Sequence, residues 1–141
     1  MPSISTTVAA PPQAVFDYLT DPRRRPEWQA SLHSVQVLDH GPVRLHMRWI
    51  DHTVVGARPR LQIVELRAPD DARAGTWREV GRWHGIRAEL ALTFETDPRG
   101  TRVSGTVEIG GWRLASLVLQ ALAPAAIASD LRRAGRILEA H

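Results

Sequence analysis

The chain has 141 residues, 43% hydrophobic and 23% charged, with a formal net charge of +3, which predicts one domain with a core of its own. Cys, Lys and Asn are absent, so all 18 basic residues are Arg. Disulfides, thiolate nucleophiles, Cys-based zinc or iron–sulfur sites, lysine Schiff bases, Walker-type phosphate loops and Asn-linked glycans are thereby excluded.

The N-terminus, MPSISTTVAAPPQAV, lacks the charged start and apolar run of a signal peptide. The longest apolar stretch, Leu114–Ala128, contains Gln120 and Pro124 and falls short of the roughly 20 residues that a bilayer span needs. A soluble, cytoplasmic chain without membrane insertion is expected. Residues 3–9 alternate Ile4, Thr6 and Val8 against Ser and Thr, the pattern of a first strand. Pro11 and Pro12 stop it, and a short helix follows over Pro12–Leu19. Asp21-Pro22 starts a second short helical turn that Pro26 ends, with Trp28 just beyond.

From His33 to Gly111 the pattern becomes that of successive strands. Val35 and Val37 mark one strand. Val43, Leu45, Met47 and Trp49 alternate with Arg44, His46 and Arg48 in another. Leu61–Leu66 and Thr76–His84 follow, the latter closed by a break at Gly85. Ile86, Ala88, Leu90, Leu92 and Phe94 form one inward row, and Val103, Gly105, Val107 and Ile109 the next. Short turns between these strands predict an antiparallel meander. Gly110-Gly111 precedes a long helix, about Trp112–Ala140, kinked at Pro124. The fold class is therefore α+β. About six to seven antiparallel strands curve around a C-terminal helix, with two short helices after the first strand.

This order, and three motifs within it, resemble the START/SRPBCC superfamily of helix-grip proteins, which includes polyketide cyclases and lipid-transfer domains. Ile4–Leu19 is similar to the family's opening strand and its "apolar-Pro-x-x-Val-Phe" helix. Asp21-Pro22-Arg23-Arg24-Arg25-Pro26-Glu27-Trp28 resembles its "D-P-x-x-x-P-x-W" segment. Gly100-Thr101-Arg102-Val103 resembles the "G-T-x-V" entry to the last strand. The resemblance implies a hydrophobic cavity for a lipid, polyketide or similar ligand, and no fixed catalytic triad. Pro42–Gly85 matches no family motif.

Five Trp in a chain with only two Phe is unusual. Trp49 shares a row with Met47. Trp77, Glu79, Gly81 and Trp83 share another, so Glu79 falls between indoles. Packing of the core is the plainer role for these Trp, and a pocket wall with one polar anchor is the functional alternative. A carboxyl there is desolvated, with a raised pKa and the capacity to move a proton. An Arg from a neighbouring strand, Arg58 or Arg60, would instead make it half of an ion pair. Asp51 is the second candidate acid/base, although a solvated strand-end pair with His52 is the simpler reading. Trp28, Met47, Trp49, Trp77 and Glu79 are expected to line the ligand site. Trp83, Leu92 and Val107 join them from the sheet, and Leu117 and Ala121 from the helix.

No metal site is expected. His46 and His52 lie about 20 Å apart along an extended strand. No cofactor is implied. Six arginines, Arg44, Arg48, Arg60, Arg78, Arg82 and Arg87, share an outer face with interleaved glutamates and no stacking aromatics. A solvated surface is expected there, and no nucleic-acid partner. The helix segment Leu114–Ala128 is apolar nearly all round, and Leu119, Leu122 and Ala126 offer a stripe for a homodimer. Three functions follow from this reading. The first is binding or transport of a hydrophobic small molecule. The second is a polyketide cyclase or dehydratase-type enzyme using Glu79 or Asp51. The third is a non-catalytic module that binds a partner through the apolar helix.

Overall fold

In the computed structural model, seven strands and three helices follow one another in the expected order. Strand β1 (Ser3–Val8) leads to α1 (Pro12–Leu19), a 3-10 turn (Pro22–Arg24) and α2 (Arg25–Trp28). Strands β2 (Leu32–Val37), β3 (Arg48–Thr53), β4 (Arg60–Arg67), β5 (Gly75–Trp83), β6 (Ile86–Asp97) and β7 (Gly100–Gly110) follow, then α3 (Arg113–Glu139). The structure describes residues 3–111 and 113–140, and for 113–122 the backbone alone. All seven strands form one antiparallel sheet in the order β1-β7-β6-β5-β4-β3-β2. Strands β2 to β7 are thus the predicted meander, and β1 returns to pair with β7.

Local chemistry sets the turns. His84 and Gly85 both have positive φ, 44° and 78°, and Trp83 pairs with Ile86 across them. Two left-handed residues make a tight turn whose twist suits the flanking strands. Gly100 has φ 139°, and a Cβ there would collide with the Val8 carbonyl. The start of β7 therefore lies directly against the end of β1.

Alternation decides what is buried. On β5, Gly75, Trp77, Glu79 and Gly81 face in, while Thr76, Arg78 and Val80 lie on the other face. Leu90, Leu92 and Phe94 of β6 and Val103 of β7 continue the inner layer. Helix α1 adds Val15, Phe16 and Leu19, with the Phe16 and Phe94 rings edge-on at 5.2 Å. Each such aliphatic or Phe side chain contributes roughly 1.5–3 kcal/mol by leaving water. Helix α3 closes this end with Leu131 and Ala134. Its last turn is tied to the β1–α1 connection by the Ala9 N–H, which donates to Glu139 Oε2 at 2.9 Å.

One expected strand is shorter than its pattern. Val43–Met47 alternates in polarity, yet β3 begins only at Arg48 and Leu45 is exposed. The His46 N–H donates to the Ile63 carbonyl at 2.8 Å, and the Ile63 N–H donates to the Met47 carbonyl at 3.0 Å. Two residues thus oppose one, which is a β-bulge. His46 takes φ 71° to make it, at the end of a turn closed by Met47 N–H to Arg44 O. Met47 and Trp49 are buried all the same. Helix α3 continues through Pro124 without a break. Trp112, expected to open it, lies outside the described residues.

Candidate functional site

The helical turn after α1 is built by proline and a cap. The Asp21 carboxylate accepts from the Arg23 N–H at 3.0 Å, and Pro22 and Pro26 occupy early helical positions where no N–H is needed. Pro22, Arg25 and Trp28 recur every third residue, and all three are buried. A guanidinium is thereby carried inward beside an indole.

Two strands supply what it meets. Beyond the bulge, Trp49 and Asp51 of β3 face in, and so does Glu79 of β5. Arg25 Nη2 donates to Asp51 Oδ2 at 3.1 Å, and Arg25 Nη1 donates to Glu79 Oε1 at 3.1 Å. Trp49 Nε1 donates to Asp51 Oδ1 at 3.0 Å, and the Arg25 guanidinium lies 5.3 Å from the Trp49 ring centroid. All three charged side chains are buried. Such a cluster holds together only because each charge meets an opposite charge or a donor.

One cation faces two carboxylates, so full ionisation would leave a buried net negative charge. Burial, and then the nearby Asp51 charge, outweigh the pull of Arg25 and push the Glu79 pKa up to about 7. Burial also works against the charge on Arg25, but Asp51 and Glu79 together overcome it and hold the guanidinium protonated. The two shifts are compatible, because a proton on Glu79 neutralises the cluster without discharging Arg25. Asp130 of α3 accepts from the Ala30 N–H at 3.3 Å, and burial raises its pKa as well.

Among the described residues, four buried polar side-chain atoms have no hydrogen-bond partner: Arg25 Nε, Trp28 Nε1, Trp77 Nε1 and Glu79 Oε2. Glu79 Oε2 lies 3.0 Å from Arg25 Nη1, within ion-pair distance but without hydrogen-bond geometry of its own. Buried Thr20 and Thr101, by contrast, donate to the Phe16 and Ala10 carbonyls. Two of the unmet atoms belong to Arg25 and Glu79 themselves, and the other two to Trp28, three residues after Arg25, and Trp77, in the same inward row as Glu79.

The expected site residues are only partly brought together. Trp28, Met47, Trp49, Trp77, Glu79 and Leu92 are buried in the interior, with Leu92 paired to Trp77. Val107 is half-buried opposite Leu90. Trp83 does not join them. It lies beyond the core at the β5–β6 turn, 39% exposed, edge-on to His84. The side chains of Leu117, Ala121, Leu119 and Leu122 lie outside the described residues, and Ala126 is exposed. Asp51 is not a solvated strand-end residue: it belongs to the same inward row as Trp49, and Arg25 draws it into the core. His52 turns away and bonds with Gln36. Glu79 does pair with an Arg, but Arg58 and Arg60 are not its partners, and Arg60 is exposed. Arg25 is the residue that sequence reasoning misses. Its three-residue spacing with Pro22 and Trp28 is the signal that could have found it. Trp28, Trp49 and Trp77 all belong to the buried core cluster. A concavity of about 320 Å³ lined by described residues lies at the β5–β6 turn.

A curved antiparallel sheet closed by a long C-terminal helix defines a helix-grip protein. The whole chain, residues 1–141, matches the family described as polyketide cyclase/dehydrase and lipid transport, and the chain belongs to that family. No curated protein matches it in sequence. Among solved structures, protein MLL2253 from Mesorhizobium loti superposes with a TM-score of 0.75 at 16% identity, covering 99% of this chain and 96% of that one. TTHA0849 from Thermus thermophilus superposes at 0.74 with 19% identity, covering 98% and 96%. The di-domain ARO/CYC StfQ from the steffimycin biosynthetic pathway superposes at 0.73 with 17% identity, covering 100% of this chain and 45% of that one. At such identities the likeness is one of fold.

Proposed function

We propose that the chain binds a hydrophobic, lipid- or polyketide-like small molecule between the sheet and α3, with a polar group of the ligand anchored at the Arg25 cluster. The observation that carries this reading is the set of four buried polar atoms that make no hydrogen bond. Each costs about 1–3 kcal/mol when left unmet. Three are donors and one is an acceptor, so a ligand carbonyl or hydroxyl at the end of an apolar body suits them. Family membership supports the same class of ligand.

Native mass spectrometry of the purified protein tests the reading, together with titration by the apolar dye 1-anilinonaphthalene-8-sulfonate. A bound small molecule that is lost on unfolding, or dye uptake that Trp77→Phe weakens, is the expected result. A protein free of any ligand that also takes up no dye would overturn it.

The second reading is a cyclase or dehydratase-type enzyme, favoured by the Glu79 carboxyl with its pKa of about 7. Both oxygens of Asp51 are engaged, whereas Glu79 Oε2 accepts no hydrogen bond, so Glu79 is the group able to pass a proton. Turnover that survives Glu79→Gln would exclude it.

A further inference from the structure

Three arginines stand side by side across three strands: Arg60 of β4 faces Arg82 of β5, which faces Arg87 of β6. In-register neighbours share one face of a sheet with Cβ atoms about 5 Å apart, where like charges repel. Arg87 meets Glu89 at 3.3 Å. The guanidinium groups of Arg58, Arg60 and Arg82 have no hydrogen bond or ion pair among the described residues. The row behind holds Glu89 and Glu108 in register, but Glu89 is also held by Arg78 at 2.6 Å. Segments 52–60 and 82–87 contain no Asp or Glu.

The same end of the sheet carries exposed apolar side chains. Val54 and Val55, at the β3–β4 tip, are 65% and 86% exposed, and Trp83 stands on the adjacent β5–β6 tip. The valines are held out by an ordered turn. The Thr53 N–H bonds to the Ala57 carbonyl at 3.1 Å, and the Val54 N–H bonds to the Ser31 carbonyl at 2.9 Å. Arg82, Trp83 and Arg87 line an open concavity at the β5–β6 tip.

We propose that this end of the sheet docks on an anionic lipid surface. Arg58, Arg60, Arg82 and Arg87 meet the headgroup phosphates and carboxylates, while Val54, Val55 and Trp83 rest at the headgroup level. Charge complementarity selects an anionic partner. The paired valines select lipid over nucleic acid, for which one indole gives little stacking. The contact is peripheral, since no helix among the described residues is long and apolar enough to cross a membrane. It does not depend on what the interior binds.

Vesicle flotation tests it, with phosphatidylcholine vesicles and mixed phosphatidylcholine–phosphatidylserine vesicles. The full chain should float with the mixed vesicles, not with phosphatidylcholine alone, and added salt should release it. Arg60→Ser and Arg82→Ser should each lower partitioning about fivefold, and Val55→Ser should lower it as well. All three positions are exposed, so circular dichroism should be unchanged. Folded protein that ignores the mixed vesicles would overturn the proposal, as would retention indifferent to both arginine substitutions. So would displacement by inorganic phosphate at matched ionic strength, or tighter binding to a duplex oligonucleotide.

Discussion

Arg25 and Glu79, 54 positions apart in sequence, meet in the core with Arg25 Nη1 3.0 Å from Glu79 Oε2. Both side chains are shut away from solvent, and Asp51 competes for the same guanidinium. The pair is therefore a structural bond and a proton site at once.

The proton site gives stability a pH dependence of definite sign. Glu79 titrates near its ordinary value of 4.5 when unfolded and at about 7 when folded. Its stabilising contribution is complete below pH 4.5 and is lost as the pH rises through 7. That loss is about 3 kcal/mol, because each tenfold change in proton affinity is worth about 1.4 kcal/mol. Urea unfolding of the wild type should show falling stability across this window. Glu79→Gln keeps an acceptor for Arg25 and should remove most of the slope. Asp130, also raised by burial, should leave a residual slope of the same sign.

Removing the cation should be costly. Arg25→Met leaves two buried carboxylates without their counter-charge, and a loss of about 3–5 kcal/mol is expected from chemical denaturation. Arg25→Lys keeps the charge but cannot present two forked donors to two acids, and should still lose about 1.5–3 kcal/mol. A lysine variant as stable as wild type would show that the fork is not needed.

Trp49 supports the cluster from its side. Trp49→Phe removes the indole N–H from Asp51 Oδ1 and weakens the face presented to Arg25. A loss of about 1–3 kcal/mol is expected. Its readout is a lower urea midpoint at unchanged slope.

Gly100 tests the corner between the first and last strands. Gly100→Ala would place a Cβ into the Val8 carbonyl and force an alanine to φ 139°. The expected loss is about 1–3 kcal/mol, seen as a lower thermal midpoint. An unchanged midpoint would mean that the corner relaxes freely.

The strands from β4 onward are legible in the sequence because a two-residue period marks any half-buried strand. The site is half legible by the same rule. Glu79 can be placed inward from its row with Trp77. Asp51 is harder, because its charge interrupts the apolar row through Met47 and Trp49, although one more step along that row reaches it. The bulge at His46 hides the break from alternation, since polarity continues across it while the hydrogen-bond ladder does not. Arg25 is illegible in another sense. A three-residue helical spacing across two prolines reveals a buried face only if an arginine is allowed to belong to it. Which indole stands outside the core depends on where the β5–β6 turn leaves the packed layer, and periodicity does not encode that.

The unequal burial of the tryptophans supplies an optical reporter without any label. Among the four described indoles, Trp28, Trp49 and Trp77 are shut away from solvent, and Trp83 is not. Iodide quenching should pick out Trp83 from these four, while the blue-shifted emission of the other three follows events around Arg25. Changes in the deep interior and at the hairpin rim can thus be watched separately in one cuvette.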